Sequence, residues 1–293
     1  MRDALFDLCR RFADAHVDSS GVAVTPVPGI TTLVRALHPG DLQAAIARPL
    51  VAMLLQGRKS VTTGLASFDY GPGEAMVIAA DVPTTSQITE ASQRFPYYAL
   101  VLELDLAILR ELQEAGPSGP DEAPRVGIEP MNADVTDAAY RLARLFDQPG
   151  ALAVLGEGLR RELHYWLLQS VHGPAIRALG AVDSHSARIR RAVAMLRRDF
   201  MQPVSVDALA DAAGMSVSVF HRHFRAMTTL SPLQFQKQLR LIHARRLMLA
   251  EGMSIAQAAG EVGYISVSQF TREYARLYGA PPGRDRRREK MSA

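Results

Sequence analysis

One nine-residue phrase occurs twice in this chain. Ser216-Val217-Ser218-Val219-Phe220-His221-Arg222-His223-Phe224 returns 50 residues later as Ser266-Val267-Ser268-Gln269-Phe270-Thr271-Arg272-Glu273-Tyr274. Ser, Val, Ser, Phe and Arg match in place, and Phe224 becomes Tyr274. Helical spacing puts Phe220, Phe224 and Met227 on one buried face. Ser218, His221, Arg222 and Arg225 fall on the opposite face. In the second copy Ser268, Gln269 and Arg272 take the outward places, and Thr271 is turned aside.

Each copy follows a short helix of small residues and a tight turn. Val206, Leu209 and Ala213 lead to Gly214; Ser254 to Val262 leads to Gly263. Small residues let the second helix of each pair cross closely over the first. The reading is two helix-turn-helix units, at about 205–228 and about 254–279. Their outward helices suit the DNA major groove, where Arg bonds guanine and Ser bonds several bases. Thr271 suits a phosphate. An amphipathic helix from Pro232 to Ala250 joins the units. At about 1.5 Å per residue it spans roughly 28 Å, near the roughly 34 Å between major-groove faces of B-DNA. One chain is thus able to read two adjacent grooves. An ordinary helical bundle gives no reason to place Arg in the same slot twice.

The C-terminal part resembles the DNA-binding domain of the AraC/XylS family of transcription regulators. The resemblance lies in Ala212-Ala213-Gly214-Met215-Ser216, Phe220-His221-Arg222-His223-Phe224, Ser231-Pro232-Leu233-Gln234, Arg245-Arg246-Leu247, Val262-Gly263-Tyr264 and Gly279-Ala280-Pro281-Pro282. The family usually has Gly-Phe where Gly263-Tyr264 stands, and Tyr-Arg where Arg284-Asp285-Arg286 follows the last Pro. The resemblance implies double-stranded DNA and RNA polymerase as partners, and the activator role common in that family.

Charge divides the chain in the same sense. Residues 185–293 hold 18 Lys and Arg against 8 Asp and Glu, a net +10, and residues 1–184 hold 15 against 22, a net −7. The basic end suits DNA and the acidic end is repelled by phosphate. Two domains are expected from the length, about 1–178 for regulation and about 186–290 for DNA binding. No apolar run reaches about 18 residues, so no membrane span is expected. The N-terminus lacks the apolar core of a signal peptide. The single Cys9 excludes an internal disulfide; it reads as a small buried hydrophobe. A cytoplasmic protein is expected.

From Gly21 to about Glu103 short β-type runs alternate with Gly and Pro turns. Candidate strands are 31–37, 50–56, 59–63, 66–70, 75–79, 84–90 and 97–104, a pattern for a sandwich or barrel. Tyr70-Gly71-Pro72-Gly73-Glu74, Asp81-Val82-Pro83 and Thr89-Glu90-Ala91-Ser92 resemble the N-terminal cupin-like β-barrel of one subgroup of the same regulators. That implies a regulatory domain in the effector-sensing place. Arg35, Gln56 and Lys59 are the candidates to meet a polar small-molecule effector if they point inward. Metal-dependent cupins carry a His-x-His pair; these strands contain no His. No metal, cofactor or catalytic residue is therefore expected, and the chain is read as not an enzyme. The rival readings are a cupin-like enzyme fused to a DNA-binding domain, and a regulator whose N-terminal domain only dimerises or binds a protein partner.

Residues 3–16 and 105–113 read as helices, 114–130 as a loop rich in Gly, Pro and acids, and 134–147 and 151–172 as two further helices. The stripe Leu152, Leu155, Leu159, Leu163, Trp166 and Leu167 either packs on the barrel or pairs with a second copy. Leu159, Leu163 and Trp166 are the candidate homodimer contacts. Residues 179–185 read as the interdomain linker, and 186–200 as the first helix of the DNA-binding domain. The basic tail from Arg284 reads as solvated, with a phosphate contact as the alternative. The expected fold is α+β: a cupin-like β-barrel (about 21–104) with a helical extension (about 134–172), then an all-α domain with two helix-turn-helix motifs.

Overall fold

The computed structural model describes residues 1–28, 30–64, 66–114, 125–181 and 185–292. It opens with α1 (Arg2–His16), which buries Leu5, Cys9 and Phe12 along one face. Burial pushes the Cys9 thiol up to about 12, so it is a core residue and not a reactive thiolate. Strands β1 (Val22–Val24), β2 (Ile30–Ala36), β3 (Gln43–Ala47), β4 (Leu50–Gln56), β5 (Arg58–Thr63), β6 (Ala66–Tyr70), β7 (Glu74–Ile78), β8 (Val82–Glu90) and β9 (Tyr97–Glu103) follow. Then come α2 (Leu106–Glu114) and β10 (Val126–Pro130).

The strands form two antiparallel sheets, ordered β1-β2-β9-β4-β7-β10 and β3-β8-β5-β6. They face each other as a flattened form of the expected barrel. The first sheet is covered on both sides, so its strands are almost continuously apolar. Leu33, Val51, Met53, Val77 and Leu100 meet the helices. Leu54, Met76, Ile78, Tyr97 and Ala99 meet the second sheet.

Three strands went unread in the sequence: β1, β3 and β10. Strand β10 lies inside the segment taken for a loop; residues 115–124 of that segment are outside the described residues. Val126 to Pro130 pairs with β7, from Ile78 back to Glu74. Its Glu129 is 5 % exposed and accepts from both the backbone N–H and Nδ1 of His172, at 3.1 and 3.0 Å. A Cβ on Gly127 would come within 2.3 Å of His172 Nε2, so only glycine admits that ring.

Helices α3 (Ala133–Ala143), α4 (Pro149–Leu168) and α5 (Gly173–Gly180) pack on the first sheet and on α1 and α2. The run read as 151–172 therefore ends at Leu168. Leu179, expected in a linker, is a fully buried residue of α5; residues 182–184 are outside the described residues. No helix among the described residues is long and apolar enough to cross a membrane.

The last segment is all helical: α6 (His185–Asp199), α7 (Val206–Ala213), α8 (Val217–Thr228), α9 (Pro232–Leu249), α10 (Ile255–Glu261), α11 (Val267–Tyr278) and α12 (Pro282–Ser292). It has two cores. One gathers α6, α7 and α8 around Phe220, Phe224 and Phe235. The other gathers α9, α10 and α11 around Phe270 and Tyr274. Strand β3 touches both, with Ile46 inside the first and Ala44 packed on the second. Arg197 of α6 fixes this contact. Its Nη2 bonds Asp81 at 2.7 Å and the Ile46 carbonyl at 3.2 Å.

Candidate nucleic-acid interface

In each unit a turn in the left-handed region separates two short helices. Gly214 (φ 61°) caps α7 and leads into α8, and Gly263 (φ 82°) separates α10 from α11. Ser205 and Ser254 begin the first helices by accepting from Ala208 and Gln257 N–H. Phe220 and Phe224 pack at 5.3 Å between ring centres, and Phe224 meets Phe235 of α9 at 5.5 Å. Phe270 and Tyr274 repeat the arrangement at 5.5 Å, with Tyr264 against Phe270 at 5.4 Å. All four anchor rings are fully buried. Burying each side chain contributes roughly 1.5–3 kcal/mol, which fixes the roll of each helix and hence its outward face.

That face is as the sequence predicts. Ser218, His221, Arg222 and Arg225 are exposed on α8; Ser268, Gln269 and Arg272 are exposed on α11, and Thr271 is half-buried. Among the described residues no carboxylate partners Arg222, Arg225 or Arg272, so these cations face solvent uncompensated. Gln269 differs: its side-chain amide donates to Glu273 at 3.1 Å.

The sequence reading missed three apolar side chains at the start of these helices. Val217 (38 %), Val267 (41 %) and Ile265 (105 %) are exposed. Val217 and Val267 stand 50 residues apart, in the same slot of the repeat. The signal was there: an apolar residue kept twice beside a polar face. Such groups suit the thymine methyl.

Below the outward faces the two units are held differently. In the first, Arg188 and Arg191 of α6 donate to the carbonyls of Gly214 and Ala212 at the end of α7, at 3.3 and 3.2 Å. They supply charge and donors where that helix needs them. His223 lies against His185, ring centres 4.0 Å apart. Burial, with the charges of His185 and Arg222, holds His223 below its ordinary value.

In the second unit Glu273 takes the place of His223. It accepts from Tyr264 Oη (2.7 Å), Lys237 Nζ (2.9 Å) and Gln269 Nε2 (3.1 Å). Burial pushes its carboxyl up, yet these bonds outweigh it and leave the pKa below the usual range. Asp285 of α12, 6 % exposed, bonds Arg245 Nε at 2.9 Å and accepts from Tyr274 Oη at 2.6 Å. The tail expected to be solvated thus begins with a buried carboxylate, because Tyr274 and Arg245 bring donors that need one. Arg240 of α9 spans the units, donating to the carbonyls of Phe200 (2.8 Å), Met201 (3.2 Å) and Gly263 (3.2 Å).

The three effector candidates do not converge. Arg35 lies on the α1 side of the first sheet and forms an ion pair with Asp14, 3.0 Å from Nε to Oδ1. Gln56 donates to the Pro96 carbonyl at 2.7 Å. Lys59 alone shares a strand face with Val61 and sits opposite Tyr70 in the space between the sheets, where burial lowers its pKa. The dimer candidates face the core of their own domain. Leu163 is 1 % exposed, and Leu159 and Trp166 pack against the same core. The apolar side chains that α4 leaves outside are Val154, Leu155 and Tyr165.

Comparison with known proteins agrees with this architecture. Residues 26–175 match the model of the AraC-type transcriptional regulator N-terminus, and residues 209–288 match a helix-turn-helix domain. The HTH-type transcriptional regulator GbdR of Pseudomonas aeruginosa is 30% identical over 110 residues, 38% of this chain and 30% of that protein. The HTH-type transcriptional activator RhaS of Escherichia fergusonii is 29% identical over 100 residues, 34% of this chain and 36% of that protein. The chain thus aligns with about a third of the length of these curated relatives. Unsaturated fatty acid bound ToxT from Vibrio cholerae shares the fold at a TM-score of 0.56 and 10% identity, over 86% of this chain and 94% of that one. With half of its length matched by the family's N-terminal model and its C-terminal end by a helix-turn-helix domain, this chain belongs to the AraC-type transcriptional regulators.

Proposed function

We propose that this DNA-binding regulator reads its site with α8 and α11 in two successive major grooves of one duplex. The observation that carries this is the repeated, exposed face set on buried aromatic anchors. Arg222 and Arg272 take guanines, assisted by Ser218 and His221 in one groove and by Ser268 and Gln269 in the other. Val217 and Val267 meet thymine methyls, while Arg225 and Thr271 hold phosphates. Helix α9 has 18 residues, about 27 Å at 1.5 Å per residue, a suitable spacer.

The units, about 205–228 and about 254–279, lie in a DNA-binding domain of about 186–290, with RNA polymerase as its further partner in the cytoplasm. The domain of about 1–178 conditions binding by taking a small-molecule effector between its sheets, with Lys59 as the contact, and it has no catalytic role. A second copy meets the exposed run Val154, Leu155 and Tyr165 of α4. The test is selection of sites from a random duplex library by the full-length protein. Two short motifs one helical turn apart are expected, with affinity falling steeply as salt rises. Recovery of one uninterrupted motif shorter than a turn would sink the two-groove reading.

A further inference from the structure

A cleft of about 390 Å3 opens where α6 crosses the end of the sheet domain. Arg190 and Arg197 line it from α6, seven residues and two turns apart on one helix face. Arg48, Asp81 and Glu103 line it from the strand ends.

The two α6 guanidiniums are incompletely satisfied. Arg197 Nη2 bonds Asp81 and the β3 carbonyls, but its buried Nε has no acceptor. Arg190 Nη2 donates to the Leu179 carbonyl at 2.7 Å, but its buried Nη1 has none. Buried charged N–H groups in folded proteins nearly always find an acceptor, and each of these two arginines keeps one unpaired while its side chain lines the cleft.

The local charge points the same way. Three guanidiniums line the cleft against two carboxylates, and Arg197 already occupies Asp81. Burial lowers the Arg190 pKa; Asp81 opposes this, while Arg110 and Arg125 add like charge. Positive charge concentrated in a cleft attracts anions. Pro49, Leu104 and Val193 add an apolar wall suited to a small organic body.

We propose that this cleft binds a small molecule carrying an oxyanion, with Arg190 and Arg197 as its charge partners. Guanidiniums are shaped for that ligand class, carboxylate or phosphate. The site is separate from the space between the sheets where Lys59 sits. It also lies one helix away from both DNA-reading units. The same α6 bonds the first unit through Arg188 and Arg191, and the segment after it receives Arg240, which reaches the second. The binding claim stands apart from the DNA reading; only its regulatory consequence rests on that reading.

The test is calorimetric titration of the full-length protein with benzoate and, separately, with inorganic phosphate, ionic strength being held with chloride. Saturable binding of at least one is expected; preference for benzoate assigns an organic carboxylate, and preference for phosphate a phosphorylated ligand. Arg190→Gln should weaken binding on the order of tenfold. Glu103→Gln removes a like charge from the cleft and should tighten it several-fold, which keeps the test decisive if the Arg190 variant folds poorly. The proposal is overturned if neither probe saturates, or if neither cleft variant alters affinity. Failure of site selection on DNA would leave these titrations as they are.

Discussion

The two helix-turn-helix units share one phrase and one arrangement of buried rings, yet they are fastened by different means. The first is strapped to α6 by arginines at the end of α7, and Ile46 of the sheet domain enters its core. The second is held by two carboxylates, Glu273 and Asp285, that gather donors from α9, α11 and the turn before α11. A shared helix face therefore says little about the forces behind it. The first unit takes a side chain of the sheet domain into its core, whereas the second, with Ala44 only packed against it, is braced chiefly by its own carboxylates.

The strongest break of this contrast is Asp285→Ala. It leaves Arg245 and Tyr274 partly buried with a lost partner, and should destabilise the second unit by about 3 kcal/mol. Hydrogen exchange should show the amides of α11 losing protection while those of α8 keep theirs. Equal loss in both would mean the units unfold as one body. Next come Arg222→Ala and Arg272→Ala, measured against single-base variants of a selected site. Each should cost about 1–3 kcal/mol at one position, the two positions lying about a turn apart. Uniform weakening at every position would reassign that arginine to phosphate.

A smaller effect sharpens the comparison at the helix ends. Thr229 caps α8 at φ 64°, where the second unit has Gly279 at φ 70°. A branched residue there is strained by about 1–2 kcal/mol. Thr229→Gly should stabilise the first unit by about 1 kcal/mol and Gly279→Ala should destabilise the second by as much, read from urea unfolding. A loss on Thr229→Gly would show that the hydroxyl bond to Thr228 O (2.6 Å) and packing on Gly64 outweigh the strain.

The smallest expected effect is a difference in acid sensitivity. The folded pKa of His223 is depressed, so its contribution is full above the unfolded value of about 6.5 and declines as pH falls through it. Glu273 is also depressed, but its contribution is full above about 4.3 and is lost only below that. Between about pH 6.5 and 5, α8 amides should lose protection before α11 amides. The reverse order would remove His223 from the account.

Much of this was legible because the informative units are local. The repeat fixed both recognition faces, and strands 50–56 and 66–70 carry their own turn signals. What was not legible depends on partners distant in sequence. Strand β10 contains Gly127 and Pro130, loop residues by type, and becomes a strand because β7 offers an edge and His172 needs the missing Cβ. Periodicity showed that Leu159 and Leu163 share an apolar stripe, but not whether the cover was the same chain or another. Asp285 was hidden in a run of arginines, and its burial follows from Tyr274 and Arg245. The effector candidates failed to meet because a strand's two faces look alike until one is covered.

Among the described residues, strand β3 stands at the border of the second sheet and pairs with β8 alone. A bare strand edge is a template for pairing with other chains. Here Arg197 supplies donors to the carbonyls of Ile46 and Ala47 at the end of the strand, at 3.2 and 3.5 Å, and the DNA-binding helices cover the Ile46 side chain. Any motion that swings α6 off this strand uncovers both an open β edge and an apolar plug. The docking that relates the two domains is thereby also this protein's guard against sticking to itself.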